Sequence, residues 1–196
     1  MAILAGDALL TEAFLLMARF PAHEDELVAP DVLNARKLRV IALIAQAAGA
    51  AGMVGGQAID LQAAVPGAAP LDADALRGMH TRKTGALIRA AALAGAVMTG
   101  ASPDAFSAID EYATQLGLAF QIVDDILDVE GVSADLGKTA GKDAAAGKPT
   151  YPALFGLEQS RHLARECSER ALDALDRARL GGHLPAIARW IVGRTN

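Results

Sequence analysis

The sequence has little of what marks most specialised proteins. A single cysteine, Cys167, stands among 196 residues, so no intramolecular disulfide can form and the free thiol suits a reducing compartment. Aromatic residues are 4% and charged residues 21% against 53% hydrophobic. A chain this apolar can bury enough surface to offset the entropy of ordering, which excludes a disordered protein. Basic residues are outnumbered, 18 Lys and Arg against 23 Asp and Glu for a net charge of -5, which argues against nucleic acid as the main partner. The start, Met1-Ala2-Ile3-Leu4-Ala5-Gly6-Asp7, has no basic segment and meets an acid at once, so it does not read as a secretory signal. A cytoplasmic location is expected. Val40 to Ile59 carries no charge and has the length of a membrane span, but it is mostly Ala and Gly with Gln46 and Gln57 inside. That content suits close helix packing, and no membrane span is expected.

Alanine supplies more than a fifth of the residues, and strict polar/apolar alternation is hard to find, which favours helices. Apolar residues recur at Leu10, Phe14 and Met17 in a helix expected from Ile3 to Phe20, ahead of Pro21. Asp31 is a candidate N-cap for a second helix with an inner stripe of Leu38, Ile41, Ile44, Ala45 and Ala48. Gly49, Gly52, Gly55 and Gly56 then predict a break or a tightly packed junction. After a loop over 63–70, Asp72 opens a helical stretch to about Thr99 with a break near Gly78. Ser102-Pro103-Asp104 is the strongest start signal, combining a capping hydroxyl, proline in the first turn and an acid beside it. Helix is expected from there to about Val129, and a Gly, Lys and Asp-rich loop over 131–148. A last helical region follows Thr150-Tyr151-Pro152, runs to Leu180, breaks at Gly181-Gly182 and resumes from Pro185. With no repeat or linker, residues 1–196 read as one all-α unit.

The chemistry concentrates between Leu116 and Val129. Gln121, Asp124, Asp125 and Asp128 are spaced i, i+3, i+4, i+7, which puts all four on one helix face. Their neighbours Phe120, Ile122, Val123, Ile126, Leu127 and Val129 are apolar, and no cation on this helix balances the three aspartates, so the balancing charge has to come from outside it. Short carboxylates grouped on one face suit a hard divalent ion, and Mg²⁺ held by one or two carboxylates plus substrate phosphates fits best. The bland alternative is an ordinary exposed acidic stripe. Next comes Gly137-Lys138-Thr139-Ala140-Gly141-Lys142-Asp143, then Gly147-Lys148. Three lysines on a glycine-rich loop look like a place where a polyphosphate meets metal and ammonium groups, unless the loop is merely solvated surface. It is not a Walker A loop, because the glycine spacing is three residues, Asp143 follows the lysine and a helix precedes it.

Two further polar islands lie in apolar stretches, Lys83-Thr84 and the pair Gln57 and Asp60. The histidines His23, His80, His162 and His183 share no ligand spacing, so no transition-metal site is assigned and His80 is expected at the surface or behind a site. No Ser-His-Asp or Cys-His pattern stands out. Met17, Met53, Met79 and Met98 read as core filler.

Taken jointly, Gly55-Gly56-Gln57-x-x-Asp60, Lys83-Thr84, Phe120-Gln121-x-x-Asp124-Asp125-x-x-Asp128 and Gly137-Lys138-x-x-Gly141-Lys142-Asp143 resemble the trans-prenyltransferases, the polyprenyl synthetases. The resemblance is nearest to the bacterial farnesyl diphosphate synthases, seen also in Ala2-Ile3-Leu4-Ala5-Gly6-Asp7-Ala8-Leu9 and Lys148-Pro149-Thr150-Tyr151-Pro152-Ala153-Leu154. It implies an antiparallel helical bundle, usually homodimeric, with an apolar cavity between two aspartate-rich motifs. It implies that Asp124, Asp125 and Asp128 form the second motif and bind Mg²⁺, with Asp124 the foremost ligand. Lys83, Thr84, Gln121, Lys138 and Lys148 match positions that hold the allylic diphosphate, Lys83 among those acting in catalysis, and Gln57 and Asp60 match polar residues lining the cavity. The implied partners are dimethylallyl, geranyl and isopentenyl diphosphate, condensed to farnesyl or geranyl diphosphate.

One departure stands out: no Asp-Asp-x-x-x-x-Asp occurs between Met1 and Ala119. The resemblance places that first motif, and the Arg and Lys residues that hold isopentenyl diphosphate, before Met1. The chain is therefore expected to be a C-terminal portion lacking the N-terminal helices and inactive alone. A non-catalytic diphosphate-binding or dimerising subunit of the same fold is the second reading. A terpene cyclase is the third, but it explains neither Lys83-Thr84 nor the glycine-lysine loop.

Overall fold

The structure, a computed structural model, describes residues 1–20, 28–134 and 149–194, with 132–134 as backbone alone. Helices dominate and no strand occurs among the described residues: α1 (Ala2–Arg19), α2 (Pro30–Ala48), α3 (Met53–Ala63), α4 (Ala73–His80), α5 (Ala86–Thr99), α6 (Pro103–Ala134), α7 (Tyr151–Phe155), α8 (Leu157–Arg177) and α9 (Leu184–Gly193). One π-helical turn, Thr81–Gly85, joins α4 to α5.

Local chemistry explains several boundaries. Asp72 caps α4, its Oδ1 accepting from Ala75 N at 2.8 Å. Ser102 caps α6 through Ala105 N at 3.3 Å, and Thr150 caps α7 through Ala153 N at 3.3 Å. Asp31 is not the cap of α2. That helix starts two residues earlier, with Ala29 at the cap position and Pro30 in the first turn, which leaves Asp31 inside the first turn where its charge suits the helix dipole. Nor does the expected stripe face inward as a whole: Leu38 and Ala45 are exposed, and the buried positions are Leu33, Lys37, Val40, Ala47 and Ala48. The last helical region is also divided where none was expected, at Gly156, whose φ of 78° only glycine adopts easily. Beyond it α8 ends at Arg177, short of Leu180.

The core gathers around α6, which packs against α8, α5 and α9, while α2 lies along α5. Leu76, Leu93, Tyr112, Ile122 and Leu175 are fully buried, interleaved with Ala113, Ala171, Ala174 and Ala188. So many small side chains let helix backbones approach closely, which gives the high alanine content a packing reason. Of the four methionines read as filler, only Met79 is fully buried. Tyr112 Oη donates to Leu184 O at 2.9 Å and ties α9 to α6. The segment Pro30–Ala63 is long and apolar enough by composition to cross a membrane, with a mean hydropathy of 1.6 in its best window. It is divided at 49–52 into α2 and α3, which pack against α5 and the π turn respectively.

The π turn is held in a seam where three backbones almost touch. A Cβ on Gly56 of α3 would lie 2.3 Å from Lys83 N and 2.6 Å from Lys83 Cα. On the other side, a Cβ on Gly117 of α6 would lie 2.9 Å from Gly85 Cα. Real Cβ contacts are not this short against backbone, so both positions require glycine. We expect Gly56→Ala to force α3 away from the π turn and destabilise the fold by about 1–3 kcal/mol in urea denaturation, the usual range for overpacking a tight site. A variant as stable as the parent would show that the seam is looser than described.

Candidate functional site

Four elements meet at a cavity of about 340 Å³ lined by Asp60, Met79, His80, Lys83, Thr84, Phe120, Gln121, Asp124, Asp125, Pro149 and Thr150. Asp60 comes from α3, Lys83 and Thr84 from the π turn, and the acidic face from α6. The π turn contributes two successive residues, Lys83 and Thr84, to the lining, as α6 does with Phe120 and Gln121 and with Asp124 and Asp125. A larger cavity of about 620 Å³ lies away from these residues, between α2, the end of α5 and the start of α6. It contains none of the residues that the sequence singles out for chemistry.

Most expected site residues are brought together. Lys83 Nζ lies 2.5 Å from Asp60 Oδ2, and the Asp60 side chain is 10% exposed against 33% for Lys83. Gln121 Nε2 donates to Asp124 Oδ2 at 3.2 Å, which orients the carboxylate across one helical turn. Asp125 Oδ2 accepts from Tyr151 N at 2.9 Å and so connects α6 to the start of α7. Two expected residues stand outside the lining: Gln57, half-buried one turn before Asp60, and Asp128, half-buried one turn beyond Asp124. Lys138 and Lys148, with the rest of the glycine-lysine loop, lie outside the described residues.

The sequence did not point to Arg194, which follows α9. Its Nη2 donates to Asp124 Oδ1 and, at 3.2 Å, to Phe120 O, while its guanidinium sits 4.2 Å from the Phe120 ring centroid. The balancing charge that the α6 aspartates demand therefore comes, among the described residues, from the end of the last helix. Burial raises the Asp124 carboxyl above its usual range, and the hydrogen bond and charge of Arg194 oppose that rise without cancelling it. His80, expected at the surface or behind the site, is instead buried in the lining, its ring 5.8 Å from that of Tyr151. Helical phase accounts for this: Leu76, Met79 and His80 form the one buried face of α4.

Chemically, a cation, a hydroxyl and an amide face a pair of carboxylates across a small cavity. No three His, Cys, Asp or Glu side chains among the described residues are grouped to cage a metal. Asp124 and Asp125 are both hard oxygen donors, and two carboxylates completed by water and phosphate are what Mg²⁺ takes, so the donor set fits that ion. A softer or redox metal would call for His or Cys ligands in a cluster that these residues do not form.

Comparison with known proteins follows the same line. The chain matches the family model for polyprenyl synthetase over residues 1–179. It is 43% identical over 198 residues to the farnesyl diphosphate synthase of Escherichia coli (strain K12), covering 98% of this chain and 63% of that protein. A farnesyl/geranylfarnesyl diphosphate synthase structure from Zymomonas mobilis superposes with a TM-score of 0.78 at 35% identity, covering 97% of this chain and 60% of that one. A geranyltransferase structure from Helicobacter pylori, complexed with magnesium and isoprenyl diphosphate, gives a TM-score of 0.73 at 28% identity, covering 98% and 59%. The chain spans between 45% and 63% of the length of the curated relatives it matches.

The Lys83–Asp60 pair can be tested directly. Lys83→Met leaves a nearly buried carboxylate without its cation and is expected to cost about 1–3 kcal/mol, a buried-pair penalty reduced for the exposure of Lys83. Adding Asp60→Asn should recover part of that loss, giving a coupling of about 1 kcal/mol or more in a double-mutant cycle read by chemical denaturation. Purely additive costs would show that the two side chains are not energetically paired.

Proposed function

Because the chain belongs to the polyprenyl synthetase family, we propose that it supplies one wall of a prenyl diphosphate synthase site. That wall holds the diphosphate of an allylic substrate, dimethylallyl or geranyl diphosphate, for condensation with isopentenyl diphosphate to geranyl or farnesyl diphosphate. The observation that carries this reading is the single cavity in which Lys83 and Thr84 face Gln121, Asp124 and Asp125.

Asp124 and Asp125 would hold Mg²⁺, which when bound neutralises part of the diphosphate charge. Lys83 presents an ammonium to the same anion, already oriented by Asp60 so that little reorganisation is needed when charge develops on the leaving group. Thr84 and Gln121 add a hydroxyl and an amide, and Gln121 keeps the Asp124 carboxylate turned along the wall. These groups favour breaking of the allylic C–O bond, in which the electron pair leaves with the diphosphate and an allylic cation remains. Met79 and Phe120 supply apolar surface at the cavity, which shields such a cation from water. The alkene of isopentenyl diphosphate then forms the new C–C bond, and the released diphosphate takes the proton lost from the adduct, so no side-chain base is required. Lys138 and Lys148 belong to this reading as further diphosphate ligands, Asp128 as a third metal-side carboxylate and Gln57 as a cavity residue.

The condensing-substrate half of the site is not found in this sequence, and we read the chain alone as forming little or no product. A homodimer is part of the proposal. It is supported by α1, which buries none of its residues and leaves Ile3, Leu9 and the adjoining Phe20 more than half exposed, an apolar face of the kind that marks an interface. A cytoplasmic setting agrees with the free Cys167, whose thiol is pushed up in pKa by burial, away from the reactive thiolate.

The test joins the part of the E. coli relative that this chain does not cover to Met1 and assays the fusion with Mg²⁺, geranyl diphosphate and isopentenyl diphosphate. Steady product formation is expected, and Asp124→Asn should lower kcat by about 10²–10³-fold, the scale for losing one preorganised charge contact at the transition state. Turnover that survives Asp124→Asn at saturating Mg²⁺ would contradict the assignment. So would product formation by the unfused chain at the rate of the fusion.

A further inference from the structure

Both oxygens of the Asp124 carboxylate are engaged within the chain: Oδ2 accepts from Gln121 and Oδ1 from Arg194. Arg194 is 10% exposed while Asp124 is 41% exposed, so the carboxylate opens to the cavity and the guanidinium lies behind it. The arginine is imperfectly housed. One nitrogen, Nη2, serves both Asp124 Oδ1 and Phe120 O, and Nε is buried with no acceptor among the described residues. Its backbone is extended, with φ -70° and ψ 146°, immediately after α9 ends, so its side chain can leave without unwinding the helix.

From this geometry we infer that Arg194 is a resident counter-ion which occupies Asp124 until a divalent cation displaces it, coupling metal loading to release of the residue that closes α9. The inference rests on the reading of Asp124 as a metal-binding carboxylate. A guanidinium and a divalent cation cannot share one carboxylate oxygen without strong like-charge repulsion, so each weakens the other's hold, reciprocally. Arg194 keeps the Asp124 charge compensated while the site is without metal, and metal affinity is lowered by the free energy of that pairing. The phenyl ring of Phe120, on the face of the guanidinium, offers it a place to rest without the carboxylate.

The probe is Mn²⁺ alone, with no diphosphate, titrated into the full 196-residue chain and followed by electron paramagnetic resonance. Arg194→Gln is expected to bind Mn²⁺ at least about fivefold more tightly than the parent, the lower end of ordinary coupling between linked sites. Arg194→Lys, which keeps a charge, should stay nearer the parent. Asp124→Asn removes the shared ligand, so in its presence Arg194→Gln should no longer change the affinity. On the unaltered chain, the Arg194 Nε–H resonance should shift as diamagnetic Mg²⁺ is added, over the range in which Mn²⁺ binds, so the inference stays testable if a variant fails to fold. Equal or weaker Mn²⁺ binding by Arg194→Gln, no binding by either protein, or an unmoved Nε–H signal would overturn it. Weaker binding would in particular assign Arg194 to holding the site together. The titration forms no product, so failure of the prenyl-transfer reading shows in the fusion assay and failure of the counter-ion role shows in metal affinity.

Discussion

Everything at the site depends on how closely three backbones approach at the π turn. Gly56 lets α3 lie against Lys83, and Gly117 lets α6 lie against Gly85. A side chain at either glycine would push apart the elements that carry Asp60, Lys83 and the α6 carboxylates. The π turn itself carries Lys83 and Thr84 to the cavity. Such turns are uncommon and less favourable than regular helix, and here the cost is offset by packing on both sides.

Charge is handled by the same joining of elements. An acidic helix face set among apolar neighbours is unfavourable in isolation, and burial does raise the Asp124 carboxyl. Each carboxylate at the cavity is met by a partner: Asp60 by Lys83 of the π turn, Asp124 by Arg194 after α9, Asp125 by the backbone N–H of Tyr151. These contacts join α3, α6, α7 and α9 around one cavity. They also set oxygen donors and a cation around one cavity, which is the arrangement from which the proposed metal–diphosphate site is argued.

Much of this was legible in the sequence. The i, i+3, i+4, i+7 spacing of Gln121, Asp124, Asp125 and Asp128 required one helix face, and the absence of any cation on that stretch required one from elsewhere. The caps at Asp72 and Ser102 follow from side chains that accept hydrogen bonds from nearby N–H groups, a purely local effect. What escaped was set by tertiary contact. Leu38 and Ala45 satisfy a helical period yet face outward, because the buried side of α2 is centred on Leu33, Val40 and Ala47 where the helix lies along α5. His80 has no ligand spacing in the chain and is buried only because α4 turns one face inward. Arg194 is 70 residues from Asp124 in sequence, and nothing short of the fold brings them together. The glycines at 56 and 117 illustrate the middle case. Gly56 sits in a cluster that invites a close-packed junction, whereas Gly117 resembles any helical glycine until Gly85 is seen beside it.

The most direct measurement is a crystal structure of the chain with Mn²⁺ and inorganic diphosphate, using anomalous scattering to locate the metal. A manganese peak beside Asp124 and Asp125 is expected, with a diphosphate within hydrogen-bond distance of Lys83 Nζ. A diphosphate bound elsewhere, or a metal that avoids both aspartates while Lys83 remains on Asp60, would contradict the assignment of this cavity.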